Sequence, residues 1–449
     1  MSEASLNAGA SDLYRAFWRW HFYAGLLVLP VLMLMALTGG LYLFNDEIDA
    51  LTDRRYAVVA ERPVASAPAA WVAIAEKELG GKVVKITLPA EPGRAVRLVV
   101  ESSGVKRNAF IDPHDARLVG STGADGLTHT IKELHSLALI GKPANILVEI
   151  VAGWAIVMVA TGIFLWWPRG QAGGVVTVRG GPARRVFWRD LHAVTGIFAS
   201  GLILFLATTG MPWSAVWGEQ VRDITTKAGL GRPPVPSAAA AGGHDNHAPA
   251  PAEASGDVPW ALQETHVHAG HMMAPPNLGR VIAGVDAAGL GKPYVISIPQ
   301  EPGKAWSAAH MPDKVEGMRT LYVDGSTGQV IGDIGYRQFG AAAQVIEWGI
   351  SVHQGQQFGR LNQFLMLAGC VAIWLMGISA LVMWWKRRPK GRLGAPPAPA
   401  DRRAYPGLAA IVVPLGLIYP LVGASLLVVL GLDILVRRLA LRLRPATAS

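Results

Sequence analysis

Four long runs without a lysine or an arginine constrain the fold of this chain more than any other feature of its sequence. They cover residues 22–44, 150–167, 193–217 and 364–385. A helix needs about 20 mostly apolar residues to cross the hydrocarbon core of a bilayer, and each run is close to that length. We therefore expect an α-helical multi-pass membrane protein with the lipid bilayer as its partner.

A fifth apolar run, residues 407–436, is interrupted by Pro414, Pro420 and Asp433. Proline kinks or ends a helix because it lacks a backbone N–H and clashes with the preceding turn. The run is expected to form either a kinked C-terminal apolar helix or a helical hairpin.

The charged residues indicate how the chain is oriented. Only 16% of the residues are charged, whereas a typical soluble domain has about 25%. The net charge of +9 comes from basic residues beside the apolar runs, namely Arg15, Arg19, Arg169, Arg179, Arg184, Arg185, Arg189, Lys386, Arg387, Arg388, Lys390 and Arg392. Cytoplasmic loops keep such an excess. The sequence therefore predicts a bacterial inner-membrane protein with a cytoplasmic N-terminus, and no nucleic acid partner.

Cys370 is the only cysteine in the sequence. A single cysteine excludes an intrachain disulfide, a Cys-x-x-Cys zinc site, a cysteine-ligated iron–sulfur cluster and covalent attachment of c-type haem. Any redox metal in this chain is therefore expected to have histidine ligands.

The spans belong to an internal duplication. Phe-Trp-Arg occurs at residues 17–19 and again at 187–189, and a histidine follows each copy, His21 or His192. The second and fourth spans both end in Trp-Trp followed by basic residues. We expect two parallel repeats related by a pseudo-two-fold axis along the membrane normal.

The segments between the spans repeat as well. Residues 84–93 and 295–303 both read as a short strand that ends in Glu-Pro-Gly. Helical patterns at residues 71–79 and 278–288 precede these strands. Each repeat is therefore predicted to consist of a span, a small α+β domain and a second span, with both domains in the periplasm.

Three motifs give the chain a family resemblance. They are Trp-His-Phe-Tyr-Ala-Gly-Leu at residues 20–26, Gly-Ile-Phe-Leu-Trp-Trp-Pro-Arg at 162–169 and Tyr-Val-Asp-Gly-Ser-Thr-Gly-Gln-Val at 322–330. In these motifs and in the order of its segments, the chain resembles the PepSY-associated transmembrane family over about residues 14–390. That family includes inner-membrane ferric-siderophore reductases that bind haem.

The turn at residues 112–117 departs from the family's Asp-x-x-Thr-Gly pattern, which residues 324–328 keep. The first domain is therefore expected to be divergent. The predicted organisation is an N-terminus and span 1 at 1–45, PepSY-like domain 1 at 46–125, an outer helix and span 2 at 126–168, a cytoplasmic loop at 169–189, span 3 at 190–217, a mobile linker at 218–259, PepSY-like domain 2 with a His/Met-rich insertion at 260–335, an outer helix and span 4 at 336–386, a basic cytoplasmic loop at 387–404, a C-terminal apolar segment at 405–436 and a basic tail at 437–449.

Four histidines occupy matching places in the two repeats. His21 and His192 lie at the starts of spans 1 and 3, while His135 and His353 precede spans 2 and 4. The pseudo-symmetry brings each pair to one depth, where two imidazoles can face each other across an iron macrocycle. Two bis-histidine haem b groups are therefore predicted. Histidines without a ligand, or with another metal, are the alternatives.

Two arginines lie close to the first histidine pair. Arg189 precedes His192 by one helical turn, and Arg19 precedes His21 by two residues with a less suitable facing. Both are candidates to pair with haem propionates.

A separate cluster consists of His266, His268, His271 and Met272. Imidazole and thioether ligands suit copper, so these residues are a candidate metal site. The alternative is a solvated insertion of biased composition.

The leading functional hypothesis is a haem-containing inner-membrane reductase that passes electrons to a periplasmic ferric chelate. The resemblance implies a ferric siderophore as substrate. No Gly-rich dinucleotide fingerprint is present, so the electron donor, a quinol or a cytoplasmic reductase, stays open. The alternatives are a non-enzymatic PepSY regulatory or scaffold membrane protein and a periplasmic copper-binding or copper-reducing protein.

Overall fold

The computed structural model describes residues 3–124, 126–170, 173–233, 258–263, 265, 267, 269, 275–301, 303–390, 394–397, 399, 405–429 and 431. Its contacts divide the chain into two compact units. The helical unit comprises Met1–Gly40, Glu133–Gln220 and Phe364–Ser449. The sheet unit comprises Leu41–Lys132 and Val221–Gln363.

The helices are α1 (Glu3–Tyr42), α2 (Asn45–Thr52), α3 (Arg54–Ala57), α4 (Pro68–Leu79), α5 (Leu127–His135), α6 (Lys142–Trp166), α7 (Arg185–Gly210), α8 (Trp217–Lys227), α9 (Leu278–Ala287), α10 (Ala341–His353), α11 (Arg360–Arg387), α12 (Tyr405–Ile418) and α13 (Pro420–Val429). The strands are β1 (Lys82–Leu88), β2 (Val96–Ser102), β3 (Val105–Ile111), β4 (Leu118–Gly123), β5 (Tyr294–Ser297), β6 (Trp306–His310), β7 (Arg319–Val323) and β8 (Val330–Gly335).

Among the described residues, four helical segments are long and apolar enough to cross a membrane. They are Asp12–Tyr42, Pro143–Trp166, Arg185–Trp213 and Arg360–Arg387. They contain nearly all of the four predicted runs, so the prediction of four apolar spanning helices is confirmed. The chain is a membrane protein.

Two predicted boundaries differ from the structure. The third span begins at Arg185 rather than at residue 190, because a basic side chain is tolerated in the first turns of a membrane helix. The predicted linker at 218–259 begins with a helix, α8, whose apolar and charged residues alternate with helical spacing. Most of that predicted linker, residues 234–257, lies outside the described residues.

Small residues bring the membrane helices close together. A Cβ atom on Gly40 of α1 would lie 3.6 Å from Cys370 Cβ of α11. A Cβ atom on Gly153 of α6 would lie only 2.1 Å from a methyl group of Val422 in α13. Glycine at position 153 therefore permits the contact between α6 and α13.

The C-terminal apolar run turns back on itself. Helix α12 ends at Ile418 and α13 begins at Pro420. A Cβ atom on Gly416 would lie 3.0 Å from Gly423 Cα, whereas seven residues of straight helix span about 10 Å. This contact favours the predicted hairpin over one continuous helix.

The eight strands of the described residues form one antiparallel sheet with the order β4-β3-β2-β1-β5-β6-β7-β8. The first four strands and the last four each form a meander, and β1 pairs with β5 between them. Ile86 of β1 is opposite Ile296 of β5. The two segments that the sequence matched therefore pair with each other, which satisfies backbone groups that two separate sheets would expose at their edges.

Helices α4 and α9 cover one face of this sheet. Trp71 of α4 and Val281 and Val285 of α9 are buried against strand residues that include Ile86 and Ile296. The predicted helices at 71–79 and 278–288 are thus confirmed as α4 and α9.

Candidate functional site

The four predicted histidines are divided between the two units. His21 of α1, His192 of α7 and His135 at the end of α5 belong to the helical unit. His353 ends α10 in the sheet unit. The three histidines of the helical unit can therefore be compared within one unit.

His192 is held by two groups of α11. Its Nδ1 atom lies 3.0 Å from the carbonyl oxygen of Met376 and 3.2 Å from the hydroxyl of Ser379. Because a backbone carbonyl only accepts hydrogen bonds, Nδ1 of His192 carries the proton and donates it.

His135 is held in the same way by α1. Its Nδ1 atom lies 3.0 Å from the carbonyl oxygen of Met35 and 3.1 Å from the hydroxyl of Thr38. The carbonyl and the hydroxyl are again three residues apart on one helix, as in the site of His192. Nδ1 of His135 is therefore also the protonated nitrogen.

Nδ1 of His21 is also protonated, but its partner is a single hydroxyl group. Its Nδ1 atom lies 2.9 Å from Thr161 Oγ1 of α6. That hydroxyl also lies 2.9 Å from the carbonyl oxygen of Val157, to which it donates its only proton. Thr161 can therefore only accept from His21, so Nδ1 of His21 is protonated.

These hydrogen bonds leave Nε2 of each ring with its lone pair. No hydrogen bond to Nε2 of His21, His135 or His192 occurs in the described part of the chain. Metal-bound histidines have this arrangement, in which one ring nitrogen donates to a fixed partner while the other binds the metal. In each of these three imidazoles of the helical unit, Nε2 is therefore the nitrogen available to a metal.

Burial favours the neutral form of His135. Loss of solvent lowers the pKa of His135, against the opposing effect of its hydrogen bond to the Met35 carbonyl. A metal binds the neutral imidazole, so the lowered pKa favours metal binding at neutral pH.

The structure brings His21 and His192 together. Their ring centres are 6.4 Å apart and their planes are nearly perpendicular, at 87°. A ring centre lies roughly 1 Å behind the ligating nitrogen, and a metal–imidazole bond is about 2 Å long, so two rings on opposite sides of one metal ion have centres about 6 Å apart. The spacing of this pair fits an iron macrocycle between the rings.

The imidazoles of His21 and His135 pack against glycines that directly follow the anchoring threonines. A Cβ atom on Gly162 would lie 3.3 Å from Cε1 of His21, and one on Gly39 would lie 2.9 Å from Cε1 of His135. Glycine therefore gives the His135 ring the space beside α1 that a larger residue would occupy.

The sequence interpretation missed these anchoring residues. They follow a repeated pattern of methionine and, three residues later, a hydroxyl residue, at Met35 and Thr38, at Met158 and Thr161, and at Met376 and Ser379. The recurrence of this pattern in three apolar helices was the signal that could have identified them.

A second contact recurs one helical turn after each histidine of the pair. A Cβ atom on Gly25 would lie 3.6 Å from the terminal methyl of Met158, and one on Gly196 would lie 3.5 Å from that of Met376. The two histidine-bearing helices therefore meet their neighbours in matching ways.

Arg189 and Arg19, which were predicted to pair with haem propionates, have other partners within the protein. Arg189 Nη2 lies 2.5 Å from Asp190 Oδ1, and Arg179 Nε lies 2.8 Å from Asp190 Oδ2. Because Asp190 is fully buried, these two guanidinium groups compensate its charge. Arg19 donates to the carbonyl oxygen of Pro396 at 2.6 Å.

The predicted copper ligands His266, His268, His271 and Met272 lie outside the described residues. Within the described residues, no group of three or more His, Cys, Asp or Glu side chains is arranged to hold a metal ion. A haem iron would need only two protein ligands, such as His21 and His192, because the macrocycle supplies its other ligands.

Comparison with protein families gives one result. The sequence profile of the PepSY-associated TM region family matches residues 18–387, which is more than half of the chain. The match begins within the first spanning helix and covers the other three spanning helices and the whole sheet. A search of curated proteins gave no match.

Proposed function

Since the chain belongs to the PepSY-associated TM region family, we propose that it is a haem-containing membrane reductase that passes electrons to a ferric chelate such as a ferric siderophore. The observation that carries the proposal is the pair formed by His21 and His192. Each ring has a protonated Nδ1, and the distance between the ring centres would suit two histidine ligands of one haem b.

His135 supports a second haem site. Thr38, which anchors His135, follows His21 by seventeen residues of α1, or about 25 Å of helix. That length approaches the ~30 Å thickness of the hydrocarbon core. Two haem groups separated by that length of α1 would divide the crossing into shorter electron-transfer steps. The pairing of His135 with His353 stays a prediction.

The chain's own residues prepare these sites. A bis-histidine haem supplies a one-electron carrier. Thr161 and Ser379 hold the protons of His21 and His192 at Nδ1, so that both rings present Nε2 without a rearrangement. Fixed ring orientations reduce the structural change that accompanies electron transfer. One electron from the donor then reduces Fe(III) of the chelate to Fe(II), which hard oxygen ligands bind less strongly.

The direction of transfer follows from the proposed topology. The basic residues beside the spans place the N-terminus in the cytoplasm and residues 46–125 and 260–335 in the periplasm. The proposed location is the inner membrane of a bacterium. The donor is a quinol or a cytoplasmic reductase, and the ferric chelate is the periplasmic acceptor.

The test uses the full chain, produced with ample haem and purified in detergent. The reduced-minus-oxidised spectrum should show low-spin haem b that acidified acetone extracts, because Cys370 cannot form the two thioether bonds of c-type haem. The dithionite-reduced protein is then mixed with a ferric hydroxamate and an Fe(II) trap. Reoxidation of the haem together with colour in the trap supports the proposal.

Two results would contradict it. Protein without a Soret band under these conditions would exclude haem-based electron transfer. Haem that is present but is not reoxidised by the ferric hydroxamate would exclude ferric chelates of this class as the acceptor.

A further inference from the structure

Four arginines at one end of the helical unit lie over aromatic rings. The guanidinium carbon of Arg387, in the last turn of α11, lies 4.9 Å from the ring centre of Trp18 and 5.2 Å from that of Phe22. Trp18 and Phe22 belong to the first half of α1, so this arginine connects the end of one membrane helix to the first half of another.

The same contact recurs at the end of α6. The guanidinium carbon of Arg169 lies 4.9 Å from the ring centre of Phe164 and 5.3 Å from that of Tyr14 in α1. Arg388 lies over the ring of Trp385 at 3.8 Å. The ends of α6 and α11 and the beginning of α1 thus carry stacked guanidinium groups at one end of the unit.

Arg19 completes the group, with its guanidinium carbon 5.1 Å from the ring centre of Tyr23. We name Arg19, Arg169, Arg387 and Arg388 the arginine rim. The separation of each guanidinium from its ring is within the range of cation–π contacts, which hold the group flat and leave free those N–H groups that do not already bind a backbone carbonyl.

Within the described residues, no carboxylate forms an ion pair with any member of the arginine rim. The hydrogen bonds of Arg19, Arg169 and Arg387 in that part of the chain run to backbone carbonyls. The nearby acid Asp190 is already paired with Arg179 and Arg189. The four positive charges of the arginine rim are therefore available to an external anion.

We propose that the arginine rim binds the phosphate groups of anionic phospholipids. The rim lies at the ends of helices that are long enough to span a bilayer, which is the depth of lipid headgroups. Tryptophan and tyrosine rings are favoured at that depth, and planar guanidinium groups bind phosphate through two parallel hydrogen bonds. A basic topology signal requires only charge, whereas these arginines are also oriented by rings.

The test measures lipid selectivity of the full chain in phosphatidylcholine nanodiscs. A small fraction of spin-labelled phosphatidylglycerol or spin-labelled phosphatidylcholine is added, and electron paramagnetic resonance gives the association constant of each lipid with the protein. The parent protein should prefer phosphatidylglycerol. Each arginine lost from the rim should weaken the association of an anionic lipid at its own position by up to about fivefold.

Three variants separate oriented guanidinium groups from net charge. Arg387→Gln with Arg388→Gln removes two charges from the rim. The matched control, Arg184→Gln with Lys390→Gln, removes two basic charges near the same helix ends that are not stacked on rings. Trp18→Leu keeps every charge and removes a ring beneath Arg387, and it should also lower the selectivity. Elution profile and helical circular dichroism should match the parent for all variants.

Two outcomes would overturn the proposal. Equal association of both lipids with the parent protein would mean that the rim binds no anionic lipid. An equal loss of selectivity in the rim variant and in the control would mean that only diffuse charge acts. In either case Arg387→Lys should behave like the parent, whereas the proposal expects it to lose part of the preference.

Discussion

The sites of His192 and His135 have the same construction but differ in what lies beyond the ring. In both, a helix offers a backbone carbonyl and, three residues later, a hydroxyl to Nδ1 of the histidine. His192 faces a second imidazole, that of His21. Within the described part of the helical unit, His135 has no such ring contact. Each histidine is therefore oriented by its own anchors, whether or not a second imidazole faces it.

The largest expected effect separates the two sites. His192→Ala should remove one haem and leave the other with an almost unchanged spectrum, whereas His135→Ala should remove the other one. Pyridine haemochrome assays of the purified variants measure the haem content per chain. His310→Ala is the matched control, because His310 also bonds a carbonyl through Nδ1, that of Pro293, but lies in the sheet unit. Loss of both haem groups in either single variant would break the comparison.

A buried carboxyl of the sheet unit provides a contrast to both sites. Burial raises the pKa of Glu347 to about 7, although the N–H of Ala261 donates to it at 2.8 Å. Because the raised pKa favours the protonated form, the stabilisation is complete below the unfolded pKa of 4.5 and is lost as the pH rises through about 7. The difference amounts to about 3 kcal/mol.

Glu347→Gln should therefore flatten the pH dependence of sheet-unit stability between pH 4.5 and 7. Hydrogen exchange of sheet-unit amides in the full chain, at pH 5 and pH 8 with rates corrected for pH, measures it. The haem spectrum should stay unchanged. A variant with the same pH dependence as the parent would show that Glu347 does not titrate in this range.

The anchoring hydroxyls should have a smaller effect than the ligands themselves. Thr161→Val should weaken haem binding by about 10- to 100-fold at the His21 site only, and Thr38→Val should do so at the His135 site only. Thr161→Ser and Thr38→Ser keep the hydroxyl and should restore binding. Haem titration of the apoprotein gives the affinities. Serine variants as weak as the valine variants would indicate that side-chain packing, not the hydrogen bond, holds the rings.

The smallest expected effect distinguishes the glycines beneath the rings. Gly39→Ala would place a Cβ atom 2.9 Å from Cε1 of His135, whereas Gly162→Ala would place one 3.3 Å from Cε1 of His21. The first substitution must displace its ring, and the second requires a shift of a few tenths of an ångström. Low-temperature electron paramagnetic resonance should therefore change more for the His135 haem than for the His21 haem. The reverse order would contradict the described packing.

Local patterns in the sequence were sufficient to predict much of the fold. Uncharged runs identified the four spanning helices, and short apolar periods identified α4, α9 and strands on both sides of the sheet. The pairing of β1 with β5 was not predicted, because these strands are distant in sequence. Pairing between segments that are far apart has no local signal.

The candidate site shows the same limit. The repeat placed His21 and His192 together as a hypothesis, since equivalent residues share a depth. The anchors were not predicted because Thr38 is 97 residues from His135, Thr161 is 140 residues from His21 and Ser379 is 187 residues from His192. Only the folded helices bring each hydroxyl to its imidazole.

The most direct test of the central claim, that His21 and His192 serve one site, is the haem content of the double variant His21→Ala with His192→Ala. We predict that the double variant loses the same single haem as either single variant, because both residues would bind one iron. Losses that add, so that the double variant retains less haem than each single variant, would contradict a shared site and assign the two histidines to different sites.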